Sequence, residues 1–372
     1  MQIAFTPEQD ELRQTLRAYF AELMTPPVLE EIAKGESGGP NCLAAVRQMG
    51  RDGWLGLGWP VEFGGQGRGD FDQMIFIDEA WRAGAPIPFL TINTVGKTIQ
   101  EYGSQAQKEF FLPKILRGEL HFSIGYTEPT AGTDLASLRT SAVKDGDEWV
   151  ITGQKIYTSL ASYADYIWLA ARTDPDAPKH KGISIFLVPT SSPGFSYTKI
   201  ETMVNASTYT TYYDEVRVPD DAIVYGVNRG WDLIINQLNY ERVSLAPSGM
   251  FSKTYEDVVT WASETKLADG RRVIDQEWVQ LSLARVHAKL EVLKLLNWKV
   301  AAAAESKAGA NPADSSATKV FGTEFSVEGY RALMEIIGPA AAFERGSPGA
   351  VLAGRLARGF QGALILTFGG GV

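Results

Sequence analysis

Leu12, Leu16, Tyr19, Phe20 and Leu23 recur at steps of three and four, the spacing that lays one apolar stripe along a helix. Thr6-Pro7-Glu8-Gln9 supplies its start, because Thr6 caps, Pro7 fits the first turn at little cost, and Gln9 closes a capping box. Pro26-Pro27 is expected to end this helix near Met24. Further helices are expected over 42–52, 72–83 and 104–117, with the Gly- and aromatic-rich residues 54–69 forming a packed loop between them. Residues 1–121 therefore read as an all-helical N-terminal α domain.

From residue 122 the pattern changes to short apolar, β-branched runs separated by turns: 149–152, 166–171, 183–189, 195–200 and 208–218. Strands in series without intervening helices predict a small sandwich or barrel, a middle β domain over residues 122–228. After Gly226-Val227-Asn228-Arg229-Gly230 the helical period returns, in one long segment from Trp231 onward and in others over 275–309, 314–339 and 348–366. Leu283, Val286, Leu290, Leu293, Leu296 and Val300 form an apolar face suited to an antiparallel bundle or a subunit interface. The fold class expected is thus α+β, with a C-terminal four-helix bundle over residues 229–372.

Composition narrows the class without changing this outline. At 372 residues, 45% hydrophobic and 21% charged, the chain has the makeup of a globular protein of two or three domains. A net charge of -9 and a pI near 5.1 argue against a nucleic-acid surface. One cysteine, Cys42, permits no internal disulfide, and three scattered histidines without a CxxC offer no metal-binding spacing. Met1 leads directly into the capped helix rather than into a basic and then apolar leader, and no apolar run approaches membrane length. The expectation is a cytoplasmic protein that engages neither membrane nor nucleic acid.

Candidate chemistry concentrates in residues 121–159. Gly125, Thr127, Thr130, Gly132 and Thr133 surround Glu128-Pro129, giving a bent backbone with amide donors and several hydroxyls, a cradle for a polar planar ligand or a pyrophosphate. A turn at Lys144-Asp145-Gly146-Asp147 then leads into strand-forming sequence. The same residues also describe a loop stitched to a β-hairpin by Ser and Thr hydrogen bonds alone.

The run GYTEPTAGTDL followed by ITGQKIYTS resembles the flavin-binding segment of the acyl-CoA dehydrogenases, where the motifs run T-E-P-x-A-G-S/T-D and G-x-K-x-W/Y/F-I/T-S/T. The loop at 54–69 and the α–β–α order are similar to that family too, so the resemblance spans essentially the whole chain. It implies FAD as cofactor. Thr127 would lie at the pyrimidine edge of the isoalloxazine, Thr133 at a phosphate, and Tyr157 and Ser159 along the ring. Tyr126, Glu128, Gly132 and Thr158 complete the cofactor segment so implied. The reaction implied is desaturation of an acyl-CoA thioester, with an electron-transfer flavoprotein as electron acceptor.

That reaction needs a carboxylate to take the α proton, and burial that raises its pKa suits the task. In most of the family this Glu precedes a Gly-Thr near the C-terminus; here the segment is TFGGGV, and Gly369 stands in its place. The other family placement, on the long helix after the β domain, matches LNYERVSLAP and designates Glu241 as general base, with Arg242 beside it as a substrate contact. Read without the family, Glu241 and Arg242 are a solvent-facing ion pair. Gly369 is left one duty, donation of its backbone N–H to the thioester carbonyl.

Two family elements are missing. Homotetrameric members complete a neighbour's FAD site with R-x-x-F-G and Q-x-x-G-G-x-G. This chain has ETKLADGRRVIDQEW and MEIIGPAAAF instead, with Glu335, Pro339 and Ala341 at the second set of positions. Proline removes an amide donor and a Cβ blocks close approach to phosphate. The pattern is similar to the base-bearing subunit of heterotetrameric acyl-CoA dehydrogenases of bacterial sterol side-chain degradation, in which a related subunit completes the flavin site. The short glycine segment at the C-terminus suits a bulky, ring-bearing acyl group. Two other readings stand beside this one: a non-catalytic paralogue that scaffolds its partner, and an acyl-CoA oxidase or flavin monooxygenase on the same fold.

Overall fold

A computed structural model describes residues 3–35, 37–204, 206–244, 246–306 and 311–369. Helices α1 (Pro7–Leu23), α2 (Pro26–Ala33), α3 (Pro40–Arg51), α4 (Gly69–Ala83), α5 (Gly96–Tyr102) and α6 (Gln105–Leu116) come first. Strands β1 (Phe122–Gly125), β2 (Ser141–Asp145), β3 (Glu148–Lys155), β4 (Tyr166–Arg172), β5 (Ile183–Pro189), β6 (Phe195–Ile200), β7 (Thr208–Pro219) and β8 (Ile223–Val224) follow. Helices α7 (Gly230–Ser244), α8 (Gly249–Glu264), α9 (Glu277–Ala304), α10 (Pro312–Ile337) and α11 (Arg355–Phe368) end the chain.

The capping box expected at the first helix is present: the Gln9 N–H donates to Thr6 Oγ1 at 3.3 Å, and the Thr6 N–H to Gln9 Oε1 at 2.9 Å. Pro26 does close α1, but it also opens α2, since a proline in the first helical position gives up only an N–H that has no intrahelical acceptor. The long helix expected from Trp231 ends at Ser244 and resumes at Gly249 as α8, with Pro247 between. There Asp78 takes the Gly249 N–H at 2.7 Å and the Ser248 hydroxyl at 2.9 Å.

Two compact units result. The first contains residues 1–23, 69–85 and 242–372, so α1 and α4 share a unit with α8 to α11. Its core draws on Val258, Val279, Phe325 and Leu333 together with Leu283, Val286, Leu290 and Leu293 of the stripe expected on α9, while Leu296 of that stripe is half-buried. Glu79 on α4, almost wholly buried, holds Arg13 and Arg17 of α1 at 3.2 and 2.8 Å. The second unit contains residues 24–68 and 86–241: α2, α3, α5, α6, the sheet and most of α7. The first 121 residues are thus divided between the two units, because the α1 stripe finds its partner in α4 and not in α2 or α3.

All eight strands belong to one hydrogen-bonded sheet in the order β6-β7-β3-β2-β4-β5-β8, with β1 parallel to β4. Only the Ser141–Arg172 pair joins β2 to β4. The halves on either side of it pack on each other, because Trp149, Ile151, Val216 and Val218 from one share a core with Ile167, Leu169, Phe186 and Val188 from the other. That is how the sandwich expected from the strand pattern is built. The 54–69 loop is packed as expected: Trp59 is fully buried and its Nε1 donates to the Ile92 carbonyl at 3.1 Å. No helix among the described residues is long and apolar enough to cross a membrane.

Candidate active site

The candidate cradle is the loop from Tyr126 to Thr140, which leaves β1 and enters β2. Glu128 and Ala131 exchange both backbone bonds, at 3.0 and 3.1 Å, which closes a tight turn over Pro129 and Thr130. The Ile156 N–H donates to the Thr127 carbonyl at 2.8 Å, and the Ser123 hydroxyl to the Ser159 carbonyl at 2.7 Å. These two bonds bring the segments flanking Thr127 and Ser159, 32 positions apart in the numbering, to one place.

Alternation then sorts the sequence-predicted residues by side. Thr127 is half-buried, and Gly132, Thr133 and Ser159 are exposed. Tyr157 is 62% exposed and has a φ of 60°, a left-handed conformation that costs a non-glycine residue energy and is held only where surrounding structure imposes it. Between the two exposed residues Tyr157 and Ser159, Thr158 turns inward: it is fully buried, with its Oγ1 3.2 Å from Thr211 Oγ1 and its N–H on the Tyr209 carbonyl. Tyr126 is buried too, its hydroxyl accepting from Trp168 Nε1 at 2.9 Å.

Glu128 is 6% exposed, and both of its carboxylate oxygens are engaged within the protein. Oε1 takes the Lys155 ammonium at 2.8 Å and the Thr140 N–H at 2.8 Å, and Oε2 takes the Arg139 N–H at 2.7 Å. Burial alone would raise its carboxyl, but the Lys155 charge and these hydrogen bonds outweigh burial and hold it below the usual carboxylate range. The side chains of Tyr126, Glu128 and Thr158 are thus engaged within the protein, which leaves their backbone to the cofactor segment. Hydrogen bonds inside the protein hold all three side chains there, beneath the loop segments that carry Thr127, Gly132, Thr133, Tyr157 and Ser159. Lys155, absent from the site as read in the sequence, was legible from its place on the inward parity of β3 after Trp149 and Ile151.

Gly132 supplies a test of fit for a ligand. Its φ is not left-handed, and a Cβ there would meet nothing nearer than Thr127 Cγ2 at 3.9 Å, so the fold itself does not require glycine. Open, solvent-facing space beside Thr127 suits close approach by a phosphate or a ring edge. Gly153 contrasts with it, because a Cβ there would collide with Thr140.

Glu241 and Arg242 lie in the last turns of α7, with the division between the two units falling between them; their side chains are outside the described residues. The Gly369 N–H donates to the Ile365 carbonyl at 3.0 Å at the end of α11, so as it stands that amide is committed to its own helix. Ala341 is 2% exposed within the bundle core, while Glu335 and Pro339 are exposed. Arg271 and Arg272 pair locally with Asp269 and Asp275, each at 2.7 Å. Among the described residues no group of three or more His, Cys, Asp or Glu is placed to hold a metal ion.

A hydroxyl-bearing loop on a β unit, with helical segments before and after it, is the arrangement expected of the acyl-CoA dehydrogenases. The chain belongs to the acyl-CoA dehydrogenase family: the N-terminal, middle and C-terminal domain models of that family match residues 6–119, 123–216 and 228–372. Acyl-CoA dehydrogenase FadE26 of Mycobacterium tuberculosis is 56% identical over 379 residues, covering 100% of this chain and 95% of its own length. Acyl-CoA dehydrogenase FadE29 of the same organism is 49% identical, again covering 100% of this chain and 95% of itself. Among solved structures, a chain of the ChsE4-ChsE5 complex from Mycobacterium tuberculosis is 57% identical with a TM-score of 0.93, covering 100% of this chain and 95% of its own. A chain of the Tcur3481-Tcur3483 steroid ACAD is 49% identical with a TM-score of 0.94, at the same coverage.

Proposed function

We propose that this chain is the base-bearing subunit of a heteromeric, FAD-dependent acyl-CoA dehydrogenase acting on a bulky, steroid-derived acyl-CoA. The observation that carries the cofactor is the cradle, in which the Ile156 and Ser123 bonds bring the Thr127 and Ser159 segments together and Gly132 lies beside Thr127 with room that the fold does not itself require. The steroid substrate and the second subunit are supported by similarity to chains of the ChsE4-ChsE5 complex and of a steroid ACAD. An electron-transfer flavoprotein as acceptor and a cytoplasmic location complete the reading.

When bound, FAD supplies the acceptor for the hydride that leaves the β carbon. Thr127 and Ser159 orient the ring through their hydroxyls, Thr133 and the Gly132 backbone hold phosphate, and Tyr157 flanks the ring. Glu241 takes the α proton, and Arg242 contacts the substrate beside it. Gly369 polarises the thioester carbonyl only after releasing its bond to Ile365, so that duty requires the last turn of α11 to open.

The test is co-expression with a related subunit, followed by anaerobic titration of the yellow complex with a steroid side-chain acyl-CoA and with a short straight-chain one. Bleaching of the flavin by the first and not by the second is expected. A flavin that neither thioester reduces would sink the dehydrogenase reading for this subunit. Rapid reoxidation of the reduced flavin by oxygen would reassign it as an oxidase.

The cofactor contacts carry a second expectation. Changing Thr127 and Ser159 together to Ala removes two hydroxyl bonds worth on the order of 1 kcal/mol each, so the flavin should be held roughly tenfold or more weakly. Flavin content after dilution and gel filtration measures this. An unchanged content would mean that these hydroxyls serve the loop alone.

A further inference from the structure

Lys155 is fully buried, and its ammonium reaches Glu128 Oε1 at 2.8 Å and the Tyr126 carbonyl at 3.1 Å. The same Glu128 carboxylate receives the N–H groups of Arg139 and Thr140. Four bonds therefore tie the beginning of the 126–140 loop, its end and strand β3 to one buried ion pair. Burying two charges is costly, and an apolar pair of similar volume would support the sheet as well or better. What the charges add is a fixed shape for the loop between them.

We propose that Lys155, acting through Glu128, is a positioning residue that locks the 126–140 loop in the shape that presents Thr127, Gly132 and Thr133 to the cofactor. The inference rests on the FAD reading above. Lys155 touches no ligand, since it is wholly out of solvent behind the loop, and its effect passes through the Arg139 and Thr140 amides that Glu128 holds.

The charged groups facing Lys155 are Glu128 across the loop and Arg172 on β4. Burial pushes the Lys155 ammonium down to about 8; Glu128 opposes that fall and Arg172 adds to it. With Glu128 held below the usual carboxylate range, both partners are charged from there up to about pH 8. Above that the charged lock is lost. Global stability moves the other way: a lysine whose folded pKa lies below its unfolded value binds fewer protons when folded, so its own contribution rises between about 8 and 10.5. Loop protection and overall stability should therefore respond to alkaline pH in opposite senses, which separates a lock on the loop from general support of the fold.

The experiment measures hydrogen exchange at the Arg139 and Thr140 amides, corrected for intrinsic rate, together with FAD retention, in the preparation in which the wild-type chain carries flavin. Lys155→Met should lower protection of those two amides at pH 7 by roughly tenfold and weaken FAD retention by a similar factor, while β4 and β5 amides keep theirs. In the wild type the same two amides should lose protection between pH 7 and 9. Should Lys155→Met fail to fold, Glu128→Gln gives the same reading, because its amide keeps the shape but leaves one of the two N–H groups without an acceptor.

Wild-type FAD affinity and intact amide protection in the variant would overturn the role of Lys155. So would an equal loss of protection across β4 and β5, which would make the pair a support of the sheet. If the wild-type chain takes up no FAD, alone or with a related subunit, the cofactor reading is what fails. If the wild type takes it up and Lys155→Met does so equally, the failure belongs to Lys155 only.

Discussion

Glu241→Gln is expected to abolish desaturation while leaving flavin content and absorbance unchanged. The amide matches the carboxylate in shape but accepts no proton at its nitrogen, so the α carbon of the thioester keeps its hydrogen and no hydride can follow. The loss should fall on the chemical step, lowering turnover by orders of magnitude while the apparent substrate affinity changes little. Gly369 cannot take over, since it has no side chain, and its N–H is bonded to Ile365. Single-turnover reduction of the flavin by substrate measures this directly. Retention of more than a few per cent of the rate, with flavin still bound, would place the base elsewhere.

The unaccompanied chain is expected to be largely colourless, and a related subunit to restore flavin and activity at one FAD per pair of unlike chains. Thr127, Thr133 and Ser159 can hold the ring and a phosphate, but the far end of FAD needs amide and guanidinium donors from a neighbouring subunit. This chain supplies such donors poorly to a copy of itself. Arg271 and Arg272 are paired with Asp269 and Asp275, Pro339 has no N–H to give, and Ala341 is packed into the bundle core. Replacing Glu335 by Gln and Pro339 by Gly alters exposed positions, whereas Ala341→Gly removes a buried methyl at a cost of about 1 kcal/mol. The triple variant should recover part of the flavin in the lone chain. A yellow, active homo-oligomer of the unmodified chain, with one FAD per subunit, would sink the heteromer and leave the family assignment standing.

The order of helices, strands and helices was legible from periodicity because each segment is long enough for its apolar positions to repeat several times. Both halves of the cradle were legible through the two family motifs, since glycines and hydroxyls at short spacing by themselves also describe a loop held by Ser and Thr hydrogen bonds. The short helices α2 and α5 were not, because one or two turns hold too few apolar positions to set a period. The direction of each side chain in the cradle also escaped the reading. Tyr126, Glu128 and Thr158 have the same polar character as Thr127, Tyr157 and Ser159, and composition cannot say which of two neighbours points inward.

Taken alone, the sequence determined the α–β–α order and the family, and it offered Glu241 as the candidate base where Gly369 stands at the common position. Local signals suffice for these, because capping, strand alternation and a motif are properties of contiguous residues. Tertiary structure alone decided that α1 and α4 join the C-terminal helices, since Phe20 of the α1 stripe packs on Phe76 of α4 while Arg13 and Arg17 pair with Glu79, 66 and 62 residues away. It also decided that Glu128 faces Lys155 and two loop amides instead of a ligand, and that Gly132 stands beside open space. Those outcomes depend on pairings between distant segments, and for Lys155 on strand register, since a one-residue slip of β3 would turn it to the opposite face.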